Sequence, residues 1–339
     1  MKRAARDGAL LLGLGAAVWY FVFRTVSLGE LRAALAGARP EALAAAVGAM
    51  GLYFLCDACN TARGLRRLGH RPGRLRCLQY AAAGFFFSSI TPSSTGGQPM
   101  QICYMRKDGV DPAHGALVLL LELACWQAVT AVFGVAGLWL SRGIFAQLPG
   151  AMQLLAAAGT ALNLLLLAGV LAAVFRPAWA ERAGCRVAHR LRRRPRAARF
   201  WAGVQTQLKR FSESAPLIRS SPGLLVSMLL TTALQLAALY SVPFWVHRAL
   251  GLSGWSLPAM AALQAMVSLS VGALPLPGAV GVGEGGFLAV FRMLFPSQLL
   301  GGAMLLSRGI SFYLFVLLTG AALLCRWVWE RRPRRMPAA

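Results

Sequence analysis

Apolar residues run through this chain in long blocks rather than in alternation. The blocks are Gly8–Phe23, Glu41–Ala62, Ala113–Leu140, Pro149–Phe175, Leu224–Val246 and Leu299–Cys325. Most reach the ~20 residues that a helix needs to cross a bilayer core. Two further blocks are broken. Cys77–Ile90 is short and leads into "SSITPSSTGGQPMQICYMRKDG", Ser88–Gly109. Leu257–Leu276 gives way to "PGAVGVGEGG" at Pro277–Gly286, and a short piece, Phe287–Phe295, follows. The ~10-residue alternating segments of a membrane β-barrel do not recur. The pattern predicts an all-α polytopic membrane protein with about six full spans plus two Gly/Pro-broken hairpins.

Composition agrees. Of 339 residues, 57% are hydrophobic and only 14% are charged, where a soluble domain carries about a quarter charged. The net charge of +24 is concentrated in blocks: Arg63–Arg76, Arg176–Arg219 and the tail "RWVWERRPRR". Positive residues mark the cytoplasmic side. These blocks, and the N-terminus with Lys2, Arg3 and Arg6, are therefore expected inside, with both termini cytoplasmic. They would also draw anionic headgroups. No base-stacking aromatics interleave the basic runs, so nucleic acid is not an expected partner. Loops near Arg142 and Arg248 fall outside. The loop Arg24–Arg39 also falls outside, against the rule, because the longer blocks outvote it. Met1–Phe23 resembles a signal peptide but shows no clear small-residue cleavage site, and is expected to stay as the first helix.

This assignment makes the first hairpin, 77–107, begin and end inside, and the second, 257–295, begin and end outside. The first arm, ~14 residues or ~21 Å, is short for a ~30 Å core, which favours a re-entrant loop. Leu257–Leu276 is long enough to span, so the second hairpin is either re-entrant or spanning. Residues 1–145 read span, span, hairpin, span. Residues 146–339 repeat that order in the opposite orientation. Such inverted-topology repeats are a transporter architecture. Irregular backbone is tolerated at membrane depth where it lines a polar cavity. Gly96, Gly97 and Pro99 would break the first hairpin, and Ser94, Thr95, Gln98 and Gln101 would offer hydrogen bonds. Pro277, Gly278, Gly281 and Gly283 would break the second. The alternative for the first break is a cytoplasmic loop between two short amphipathic helices.

Charges inside apolar blocks are candidate functional groups. Glu122, Glu284 and Arg308 qualify. Glu122 suits a cationic headgroup or a proton. Arg106, Lys107 and Arg308 suit a phosphate. Glu284 has Arg308 or Arg292 as candidate partner, and a purely structural ion pair is the competing reading. Asp57 with Asn60 is read as snorkelling or capping. The seven cysteines are scattered, and Cys56-x-x-Cys59 lacks the second pair a zinc site wants. His70, His114, His189 and His247 have no metal-site spacing. No metal, cofactor or Walker motif is expected, and no Ser/His/Asp arrangement can be located.

Ile90–Gly109, "LPLPGAVGVGEGG" (Leu274–Gly286) and "LLSRGISFYLFVLL" (Leu305–Leu318) resemble, in order, the signature segments of the lysylphosphatidylglycerol synthase transmembrane region family. That is the flippase domain of the multiple peptide resistance factor, found also in stand-alone flippase-like proteins. The resemblance covers nearly the whole chain. It implies a flippase or scramblase moving an aminoacylated or anionic phospholipid, such as lysylphosphatidylglycerol, between leaflets of the bacterial inner membrane. In full-length members this exposes a cationic lipid and repels antimicrobial peptides. Those members also carry a soluble domain that transfers lysine from aminoacyl-tRNA to phosphatidylglycerol. This sequence ends at Ala339, which leaves no room for it, so lysyltransferase activity is not expected of the chain. A separate lipid-modifying synthetase is an implied partner beside membrane lipids. Two other readings are a membrane subunit of headgroup modification, with Glu122 or Glu284 as acid or base, and a transporter of a small polar solute.

Overall fold

The computed structural model describes residues 28–91, 94–140, 142–147, 150–175, 213, 216, 220–272 and 281–331. The expected first span Gly8–Phe23, most of the basic block 176–219, and Pro277 and Gly278 lie outside the described residues. Within them the regular elements are all helices. They are α1 (Leu28–Ala36), α2 (Pro40–Arg67), α3 (Arg74–Ile90), α4 (Gly97–Lys107), α5 (Pro112–Leu140), α6 (Arg142–Ala146) and α7 (Gly150–Phe175). There follow α8 (Pro222–Tyr240), α9 (Val242–Ala249), α10 (Leu257–Gly272), α11 (Val282–Phe291), α12 (Ser297–Arg308) and α13 (Leu314–Arg331). A single π-turn, Gly309–Tyr313, joins α12 to α13. Among the described residues five stretches are long and apolar enough to cross a membrane: Pro40–Arg67, Pro112–Gly137, Gly150–Ala172, Pro222–Ala249 and Ser297–Glu330. The chain is an all-α, multi-pass membrane protein. Helix α1 falls in Arg24–Arg39, where the hydrophobic pattern predicts only a loop, and it packs against α12.

Local chemistry sets the helix ends. Pro40 opens α2, Glu41 sits in its first turn and Arg66 and Arg67 in its last, as the helix dipole favours. Gly69 and Gly109, both at φ 85°, follow the C-termini of α2 and α4, where a left-handed residue ends a helix. Asp111 Oδ1 accepts the Ala113 N–H at 2.8 Å and caps α5, with Pro112 at its first position. Val132, Val135 and Trp139 on α5, Leu154 and Leu165 on α7, and Leu230 on α8 are exposed. In a membrane these side chains face lipid.

Charge partners gather one set of ends on a single face. Asp108, after α4, accepts from Tyr80 at 2.7 Å and pairs with Arg76 at 3.1 Å and Arg326 at 3.0 Å. Arg326 also reaches Gln79 at 2.7 Å and Glu330 at 2.6 Å. Arg67 donates to Ser221 before α8 at 2.6 Å, and His70 meets His114 of α5 at 2.8 Å. This is the face that carries Arg63–Arg76, Arg106 and Lys107. The first hairpin, α3–α4, thus starts and returns here. Other ends gather on the opposite face. Arg39 N–H donates to Ala249 O at 2.8 Å, and His247 of α9 packs on Phe295, just past α11, with ring centroids 5.1 Å apart. The second hairpin, α10–α11, starts and returns there.

Arg326 is 3% exposed while Arg76 is 40% exposed. Breaking a buried pair leaves an uncompensated charge, whereas exposed pairs contribute little. Arg326→Met should therefore lower the melting temperature in detergent by several degrees, and Arg76→Met by much less. Partial burial and the neighbouring His114 hold the His70 imidazole below its ordinary value, with Asp111 opposing. Its charged form is disfavoured when folded. The stability it contributes is present above about pH 6.5 and is lost as pH falls through the lower folded value. Melting scans should show that acid loss, and His70→Gln should reduce it.

Candidate functional site

The break in the first hairpin is built from hydroxyls and glycines. Thr91 Oγ1 donates to Phe87 O at 2.6 Å and accepts the Gly96 N–H at 2.9 Å. Ser89 Oγ donates to Phe85 O at 2.8 Å. The Thr91 bonds satisfy backbone groups that the broken helix frees. Ser94 holds φ 55°, an uncommon backbone for a residue with a Cβ. The arms touch through glycine. A Cβ on Gly97 would lie 2.0 Å from Ser88 Oγ and 2.6 Å from Gly84 O. A Cβ on Gly84 would lie 2.6 Å from the Gln101 amide. Small residues let helices approach this closely.

A cavity of about 700 Å³ opens beside this tip. The tip contributes Ser94, Thr95, Gln98, Pro99 and Gln101. Helix α2 contributes Tyr53, Asp57 and Asn60, α5 contributes Glu122 and Trp126, and α8 contributes Thr232 and Gln235. Among the described residues, two carboxylates line it and no lysine or arginine does. Glu122 Oε1 accepts from Thr61 Oγ1 at 2.8 Å. Asp57 Oδ1 accepts from Gln235 Nε2 at 3.1 Å. Asn60 donates to Thr232 Oγ1 at 3.0 Å. Neutral donors thus orient the two carboxyl groups. With Tyr53, Phe85 and Trp126 on the wall, the chemistry suits a cation.

Glu284 belongs to a second centre, in the first turn of α11. It accepts from the Gly281 N–H, from Arg308 Nε at 2.9 Å and from Tyr313 OH at 3.0 Å. Gly281 sits at φ 85°, which glycine adopts without strain. A Cβ on Gly283 would lie 3.3 Å from the Arg308 guanidinium carbon, so glycine there lets the guanidinium lie close to the chain. Glu284 pairs with Arg308; Arg292 is exposed.

The structure does not bring Arg106, Lys107 and Arg308 together as a phosphate clamp. Arg106 and Lys107 are exposed in the last turn of α4, and Lys107 lies over the Tyr104 ring at 5.1 Å. They adjoin Asp108, which binds Arg326, about five helical turns from Arg308. Asp57, read from sequence as a snorkelling or capping residue, instead lines the cavity with Glu122. A signal existed: Tyr53, Asp57 and Asn60 recur at helical spacing on one face of an apolar span. The same spacing pairs Glu122 with Trp126 and Thr232 with Gln235, but it does not say which helix faces which.

Residues 8–319 match the family described as Lysylphosphatidylglycerol synthase TM region, and the chain belongs to that family. It is also similar to a UPF0104 membrane protein of Archaeoglobus fulgidus, 24% identical over 261 residues, covering 73% of this chain and 74% of that protein.

Gly97→Ala should force the hairpin arms apart at a cost of roughly 1–3 kcal/mol, as overpacking does. Gly48→Ala, where a Cβ meets nothing within 4 Å, should not. Thermal melting of both variants in detergent checks this.

Proposed function

We propose that this protein moves a phospholipid between membrane leaflets, as a flippase or scramblase, and that the headgroup carries an amine, as in lysylphosphatidylglycerol. The observation that carries this reading is the cavity at the broken hairpin, with Asp57 and Glu122 and, among the described residues, no basic side chain on its lining. A charged headgroup cannot cross hydrocarbon bare. In the proposed path the ammonium sits between the two carboxylates. Hydroxyls and amides of Ser94, Thr95, Gln98 and Gln101 replace water around the glycerol and phosphate oxygens. The acyl tails stay in lipid beside the exposed hairpin tip. Family membership supports the reading at the level of a membrane protein associated with this lipid chemistry.

The proposal includes an orientation. The basic face is cytoplasmic, both termini lie inside, and the membrane is the bacterial inner membrane. Residues 1–145 and 146–339 are then inverted repeats, so that the two hairpins serve the two sides in turn.

Dithionite quenching of fluorescent phospholipids in proteoliposomes tests it. Amine-bearing headgroups should quench faster than in empty vesicles. Asp57→Asn with Glu122→Gln should slow this at least ~10-fold, the equivalent of about 1.4 kcal/mol. No acceleration with any headgroup would sink transport and favour a membrane subunit of headgroup modification, seen as product formed with aminoacyl-tRNA. A cysteine at Gly97 should react with impermeant thiol reagent from the cytoplasmic side and one at Gly281 from outside. Labelling of both from one side would refute the inverted arrangement.

A further inference from the structure

We propose that Glu284, with the rings of Phe312 and Tyr313, is a second ammonium site, and that Arg308 is its resident counter-ion, displaced when the amine of a headgroup arrives. The inference rests on the transport reading above and extends it to the opposite side of the protein.

The site has the parts of an ammonium-binding box. The carboxylate accepts from Arg308 and Tyr313. The guanidinium carbon stands 4.6 Å from the Phe312 ring centroid and 5.9 Å from that of Tyr313. A cation over an aromatic face beside a carboxylate is how proteins hold organic ammonium groups. Here a side chain of the protein fills that role. The π-turn makes the arrangement. In a regular helix Arg308 and Tyr313 would point about 140° apart. The Leu314 N–H instead bonds Gly309 O, five residues back. This wider turn brings Tyr313 round to the side of Arg308, and such bulges concentrate at functional sites.

The two sites are joined by rings. Tyr53 of the cavity wall is 6.4 Å from Phe85, and Phe85 is 6.3 Å from Phe312. Phe54 stacks on Phe315 at 5.1 Å. Packed aromatic rings thus run from the wall of the first site to the second. A tethered arginine at the far end neutralises Glu284 between transfers, when a lone carboxylate at membrane depth would be unstable. A pair that serves only structure would hold the arginine in place against a free amine in the intact protein, and this separates the two roles.

The test uses the full chain in detergent, with methylguanidinium, ethylammonium and sodium chlorides as probes. Arg308→Ala and Arg308→Gln should each gain about 2–5 °C in melting temperature from the organic cations over sodium, because ligands of the folded state stabilise by mass action. The wild type should gain less than these variants but still more from ethylammonium than from sodium, because the amine has to displace Arg308, whereas Glu284→Gln/Arg308→Ala should gain nothing beyond sodium. A wild type that responds equally to ethylammonium and sodium overturns the proposal. Arg308 variants that respond equally to all three salts overturn the proposal. So does failure of both variants to fold even when purified in methylguanidinium. The lipid assay separates the two readings. A shift in melting without lipid movement keeps the second site and sinks transport; lipid movement without the shift does the reverse.

Discussion

Hydrocarbon offers neither hydrogen bonds nor counter-ions, so every charge at membrane depth has to be partnered by the protein itself. The last membrane helix carries much of that requirement. Arg308 near one end holds Glu284 of the second hairpin. Arg326 near the other holds Asp108 at the return of the first. The two arginines are about five turns, or about 27 Å, apart along the helix, close to the thickness of the membrane core. Each broken hairpin is thus fastened to the same rod from its own face.

The two charged centres share a chemistry and differ in how it is balanced. At the first hairpin, Thr61 and Gln235 orient Glu122 and Asp57 with neutral donors. At the second, a guanidinium completes the carboxylate. The first arrangement points two carboxyl groups at a cavity, and the second pairs its carboxylate with a guanidinium. Between them Phe54, Phe85, Phe312 and Phe315 pack as a wall. Ring contacts run from Tyr53 at the first centre through Phe85 to Phe312 at the second.

Much of the fold was legible from residue order alone. Long apolar runs, glycine and proline at the breaks and arginine blocks at the ends marked the all-α membrane class and the five long apolar stretches among the described residues, because burial in lipid depends on local composition and helix length. Glu122, Glu284 and Arg308 stood out because any charge inside an apolar run does. Which groups face each other is a different matter. Asp57 joins Glu122 only because α2 and α5 pack around the tip of the first hairpin. Gln235 reaches Asp57 from α8, 178 residues away in sequence. Arg106 and Lys107, cationic and close to the motif, were plausible phosphate ligands until α4 carried them to the exposed face beside Asp108. The π-turn after Arg308 has no compositional signature, yet it sets Arg308 and Tyr313 around one carboxylate. The sequence determined which segments enter the membrane, because that choice is made residue by residue against lipid. Only the tertiary structure decided which charges meet, because that depends on helix rotation and register, which are set by packing between segments far apart in the chain.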